Sequence, residues 1–169
     1  LFSRLFHVSM TVGEVVPPES MFAWIEKQFG SVEAVRKQRI VKVTNRVTLE
    51  ATLYNELRAR RPMEAPAAGD LESTIESSRG DPFCRPLELT PSDSFGRIRG
   101  ERCLTASNIA KYDGFHGVVI YDEHHPLRFS RASIADALDT GRRWAEAAHA
   151  HDPQAVYYFF MWNCLWKSG

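Results

Sequence analysis

The chain has only three cysteines in 169 residues, Cys84, Cys103 and Cys164. An odd, widely spaced set argues against the disulfide framework of small secreted domains and for a reducing compartment, so a cytoplasmic protein is expected. Neither sign of charge is in surplus, with 21 Lys plus Arg against 21 Asp plus Glu. Without a global field, no nucleic-acid polymer is expected as a partner. Long hydrophobic runs are missing too. None reaches the ~20 apolar residues that span a bilayer, and residues 1–10 are too short and too interrupted by Arg4 and His7 to be a signal peptide. No membrane partner is expected. Position 1 is Leu rather than an initiator Met, which suggests a sequence that begins inside a longer chain. The length suits one domain, or one domain with an appendage.

What the chain does have is a dense aromatic run near its end, Ala155-Val156-Tyr157-Tyr158-Phe159-Phe160-Met161-Trp162, followed by Asn163, Cys164, Leu165, Trp166, Lys167, Ser168 and Gly169. Aromatic and β-branched residues at this density predict a buried strand. The polar residues after it predict a turn whose backbone N–H groups could approach an anion. Upstream, Met21, Trp24, Ile25 and Phe29 recur at helical spacing, with Ser20 as a candidate N-cap and Gly30 as the stop. A second short helix from Ser31 towards Gln38 leads into a strand carried by Ile40, Val41 and Val43. Residues 1–13 read as a strand or an arm. Leu49, Leu53, Tyr54 and Leu57 fall at helix-like intervals before the basic cluster of Arg58, Arg60 and Arg61. That cluster is either an anion site or a solvated helix end that complements the helix dipole.

Residues 62–80 read as a linker or surface loop and the best candidate boundary, leaving an N-terminal arm (1–80) and a main domain (81–169). Within the latter, residues 103–107 and 116–122 predict an antiparallel hairpin. Ile134, Leu138, Gly141, Ala145 and Ala148 predict a helix of about five turns, capped by Ser130 or Ser133 and stopped at Asp152-Pro153. The order of strand, strand, helix, strand makes this an α+β fold with an antiparallel sheet.

Asn108-(x)5-Gly114-Phe115-His116-Gly117-Val118-Val119-Ile120, then Glu123-His124-His125-Pro126, a helix, and Tyr158-Phe159-Phe160-(x)2-Asn163-(x)4-Ser168-Gly169 together resemble the histidine-triad-like superfamily. The likeness is to its galactose-1-phosphate uridylyltransferase and dinucleoside-tetraphosphate phosphorylase (ATP adenylyltransferase) branch, and it covers about residues 81–169. The first eighty residues match only through Arg60-Arg61-Pro62. The resemblance implies a half-barrel sheet with a long packed helix, and a nucleotidyltransferase or nucleotide phosphorylase. Such an enzyme passes a nucleoside monophosphate through a covalent histidine, here expected downstream of Gly169.

By the same resemblance Asn108 would bond the ribose. Asn163, Lys167, Ser168 and the Gly169 backbone would hold phosphate. The ligand would be a nucleotide or nucleotide sugar, and a homodimer is common in that branch. Zinc would be held by Asp81, standing where the branch has cysteine, with Cys84 and His124 (or His125). On their own chemistry these residues have simpler readings. Asn108 could only end a strand, and Cys84 could be a buried thiol in a turn. His116 reads as a sheet histidine, and His149 and His151 as helix-end charges. The alternatives to an enzyme are a nucleotide-binding or sensing module of the same fold and a structural interaction domain built on the aromatic run.

Overall fold

The computed structural model describes residues 1–60 and 70–162, so Arg61-Pro62 and the predicted turn from Asn163 to Gly169 lie outside the described residues. After one helical turn at Phe2–Leu5, strand β1 (Phe6–Glu14) opens the N-terminal part. It is followed by helices α1 (Phe22–Phe29) and α2 (Val32–Arg36), then strands β2 (Lys37–Asn45) and β3 (Ala51–Tyr54). The three strands form an antiparallel sheet in the order β1-β2-β3, with Met10 opposite Val41 and Val41 opposite Tyr54. The expected helical arm is therefore a sheet covered by two short helices.

The helical intervals around Leu49–Leu57 misled because they straddle a strand and a single helical turn at Glu56–Ala59. One face of a short strand and one face of a helix can share apolar positions, and spacing alone does not separate them. The stripe predicted for α1 is correct in three of its four members. Met21, Ile25 and Phe29 are buried, while Trp24 lies half out with its ring edge-on to Phe29 at 5.7 Å. Gly30 stops the helix in the left-handed region, at φ 85°. Ser20 does not cap it. The Ser20 hydroxyl donates to the Glu88 carbonyl instead, at 2.6 Å, while Ser31 caps α2 through Ala34.

Part of the expected linker is ordered as helix α3 (Leu71–Ser77), capped by Asp70 and anchored by buried Ile75. Strands β4 (Cys103–Ser107) and β5 (Gly117–Tyr121) form the expected antiparallel hairpin, with Thr105 opposite Val119. Helix α4 (Arg131–His151) packs across it. Both predicted caps act together there: Ser130 accepts from the Ser133 backbone, and the Ser133 hydroxyl accepts from the Ser130 backbone.

The molecule is thus mixed α+β with two small antiparallel sheets and a long C-terminal helix. The final predicted strand does not form: residues 153–162 are in no ladder among the described residues. The segment runs back along α4. Phe160 sits on Gly141, and Trp162 lies 5.7 Å from the Tyr121 ring and 5.5 Å from Phe129. Tyr157 and Phe159 face out, 94% and 86% exposed. Apolar density predicted burial on both faces, but the helix and β5 offer this segment one.

A core of Val15, Met21, Ile25, Phe29, Val35 and Leu57 fills the N-terminal part, and Ala110 from the β4–β5 loop is inserted into it. The hairpin closes on α4 where Gly117 meets Trp144. A Cβ at 117 would lie 2.6 Å from the indole ring, which is itself held by its Nε1–H donating to Asp93 Oδ2 at 2.7 Å. Gly117→Ala should therefore cost about 1–3 kcal/mol by overpacking, since the ring cannot give way without losing that bond. Denaturant unfolding should show a lower midpoint with an unchanged slope.

Candidate functional site

The β4–β5 loop, residues 108–116, leaves a strand that is buried along its whole length and returns into β5. The loop is therefore rooted in rigid structure at both ends. Asn108, first in the loop and half-buried, accepts from the Ala110 backbone N–H at 3.0 Å, the local turn that asparagine makes readily. Its own backbone N–H donates to the His116 carbonyl at 2.8 Å and closes the loop. Arg58, from the helical turn after β3, reaches the same place. Its guanidinium donates to the Ala110 carbonyl at 2.8 Å and to the Tyr112 hydroxyl at 2.7 Å, lying 3.6 Å from the Tyr112 ring centroid. The other partner of Tyr112 is His116, with centroids 4.9 Å apart and Nδ1 accepting from the Tyr112 N–H.

Asn108, Arg58, Tyr112 and His116 all line an open cleft that continues past β5 and α4 to Phe160 and Trp162. Its volume, 2550 Å³, exceeds the roughly 300–1,000 Å³ of a closed small-molecule pocket. The cleft as a whole is thus a channel, and the loop end is where polar groups converge. A guanidinium, a carboxamide and two aromatic rings at one end can together bind an anion joined to a flat, polar ring. Tyr112 and His116 carry no sequence signal beyond a turn and a sheet histidine. Arg58 stood out only as part of a basic cluster. The three meet across more than fifty positions of chain, a pairing no local pattern reports.

Two of the three zinc candidates also meet. Cys84 Sγ lies 3.2 Å from His124 Nδ1, while His124 Nε2 lies 2.9 Å from the Ile75 carbonyl of α3. A carbonyl only accepts, so Nε2 carries the proton and the Nδ1 lone pair faces the sulfur, the tautomer a metal-binding histidine uses. Asp81 does not join them. Its Oδ1 accepts from the backbone N–H groups of Phe83 and Cys84, capping the turn that presents the thiol. Among the described residues no group of three His, Cys, Asp or Glu is gathered closely enough to hold a metal. The Cys84–His124 pair supplies two donors of a tetrahedral set and would need further ligands. His125 turns away to Glu72 at 3.2 Å.

The floor of the hairpin is pinned by Asp136 of α4, which accepts from the N–H groups of Glu101 and Arg102 at 3.0 and 2.8 Å and contacts the Cys103 thiol. Burial pushes the Cys103 thiol up to about 11, so it is a neutral packing group rather than a nucleophile. Partial desolvation acts to raise the Asp136 carboxyl, but the two backbone donors outweigh it and hold it below its usual range. Its stabilising contribution is complete above the ordinary carboxylate range and is lost as pH falls through the lowered value. Asp136→Asn should therefore weaken the acid dependence of stability below about pH 4, as read from thermal midpoints across that range.

No family model matches the chain, and neither curated proteins nor solved structures yield a match. The geometry and the residues are therefore what a functional reading rests on. Among the described residues no helix is long and apolar enough to cross a membrane.

Proposed function

We propose that the chain is the nucleoside-binding part of a nucleotidyltransferase or nucleotide phosphorylase of the histidine-triad-like superfamily. The observation that carries this reading is the convergence of Asn108, Arg58, Tyr112 and His116 at one end of the cleft. A carboxamide suits a ribose hydroxyl, a guanidinium suits phosphate oxygens, and an aromatic pair suits the base. The hairpin followed by a long helix is also the arrangement the motif resemblance implies for residues 81–151.

In this reading a histidine in the segment after Gly169 attacks the α-phosphorus of a nucleotide donor. A P–N bond forms as a P–O bond breaks, and an acceptor phosphate oxygen then displaces the histidine. Asn163, Lys167, Ser168 and the Gly169 backbone N–H would neutralise the phosphates during both steps. Zinc, if bound, would take Cys84 and His124 as two ligands and join the turn at Pro82–Cys84 to the turn after β5.

The exposed aromatic face of Tyr157 and Phe159 favours a second reading, an interaction domain whose partner covers that segment. Intact-mass spectrometry of the full-length protein incubated with ATP, a nucleoside diphosphate sugar or diadenosine tetraphosphate separates the two. A transferase should gain one nucleoside monophosphate in acid-labile linkage. No adduct and no nucleotide binding would leave the interaction domain. Asn108→Ala should raise the dissociation constant for the preferred nucleotide about tenfold, the equivalent of one lost hydrogen bond of ~1.4 kcal/mol, and lower the thermal midpoint as well, since the buried Ala110 N–H loses its acceptor. Elemental analysis of the full-length protein decides the zinc: metal lost from Cys84→Ser would mean that further ligands complete the Cys84–His124 pair, and a metal-free folded wild type would remove zinc from this reading.

A further inference from the structure

Lys111 is the most deeply buried charged side chain among the described residues, with no exposed surface, although it belongs to a loop. Loops ordinarily run over the surface, and a buried ammonium is stable only when paired and hydrogen-bonded. Here its Nζ donates to Ser107 Oγ at 2.7 Å and to Asp93 Oδ1 at 3.3 Å. Ser107 in turn donates to the same carboxylate oxygen at 2.6 Å, and the Trp144 indole occupies the other. The stem reaches this pocket beneath β1 at Gly13, where a Cβ would lie 2.6 Å from Lys111 Cδ.

The backbone of the same residue is held from the opposite side. Its N–H donates to Gln38 Oε1 at 3.1 Å, and its carbonyl accepts from Asn55 Nδ2 at 2.9 Å. Asn55 also donates to Gln38, and Gln38 donates to the Val35 and Ile109 carbonyls, so this pair of amides is fixed too. The Ala110 carbonyl that receives Arg58 and the Lys111 N–H that binds Gln38 belong to one planar peptide unit. Turning that plane moves Arg58. The Ala110 N–H that donates to the Asn108 carboxamide belongs to the preceding peptide unit.

We propose that Lys111 is a positioning residue: locked to Asp93 and Ser107, it fixes the peptide plane between residues 110 and 111 and so aims Arg58 into the cleft. The ligand class, a nucleotide, rests on the reading given above; the positioning itself does not.

The test uses the full-length protein and two variants. Lys111→Met keeps the stem and removes the ammonium, and Asp93→Asn/Lys111→Met removes both charges, so that no lone carboxylate is left buried. Hydrogen exchange of residues 108–116 is measured against that of α4, together with the dissociation constants for AMP and UMP. In both variants exchange in the loop should accelerate about tenfold more than exchange in α4, and affinity should fall about tenfold. If Lys111→Met does not fold, the double variant decides. Unchanged loop exchange in a folded variant, or acceleration equal in loop and helix, would overturn the proposal, since a residue that merely fills space has no selective effect on the loop. If the wild type binds neither nucleotide, the nucleotide reading falls and loop exchange alone decides the positioning.

Discussion

The buried ion pair between Asp93 and Lys111 is the constraint on which the rest depends. Four elements meet at it: the turn that carries Asp93, strand β4 through Ser107, helix α4 through Trp144, and the β4–β5 loop through Lys111 itself. Burial pulls the Lys111 ammonium below its ordinary range, against the raising effect of the Asp93 carboxylate beside it. A pair of this kind adds less to stability than its short contacts suggest, because both ions have left water. It does restrict the arrangements open to the chain, since any packing that separates the partners leaves a bare charge inside.

That restriction joins the two sheets. Among the described residues the hairpin on α4 and the three-stranded sheet share no ladder, and the loop connects them: Ile109 and Ala110 packed into the N-terminal core, Gln38 and Asn55 bonded to the Lys111 backbone, Arg58 bonded to Ala110 and Tyr112. The polar end of the cleft is built from the same contacts. A loop of this sort, supported from beneath by a buried charge and from the side by two amides, can hold side chains in fixed directions without being part of a strand.

The end of the chain shows how one feature can point two ways. Alternate residues of the aromatic segment find sockets, Phe160 over Gly141 and Trp162 between Tyr121 and Phe129, while their neighbours Tyr157 and Phe159 face solvent. Extended backbone with a two-residue alternation is what a strand needs, and what an exposed apolar ribbon needs as well. The difference lies in whether an edge is paired, which composition does not encode.

The elements with strong local signals were legible in the sequence: α4 with its Ser130 cap, the β4–β5 hairpin, α1 with its stop at Gly30, and the core of β2. Each is fixed by apolar periodicity and by capping chemistry confined to a few neighbouring residues. The pairing of Cys84 with His124 was reached through motif resemblance rather than spacing, and Asn108 was found at a strand end where its turn chemistry is local. Tertiary structure alone decided that residues 51–54 are a strand and that Lys111 is buried. It also decided that Arg58 lies on Tyr112. These outcomes depend on partners in other elements, and on whether a charge or an edge finds its complement there. The sequence contains those partners but does not by itself bring them together.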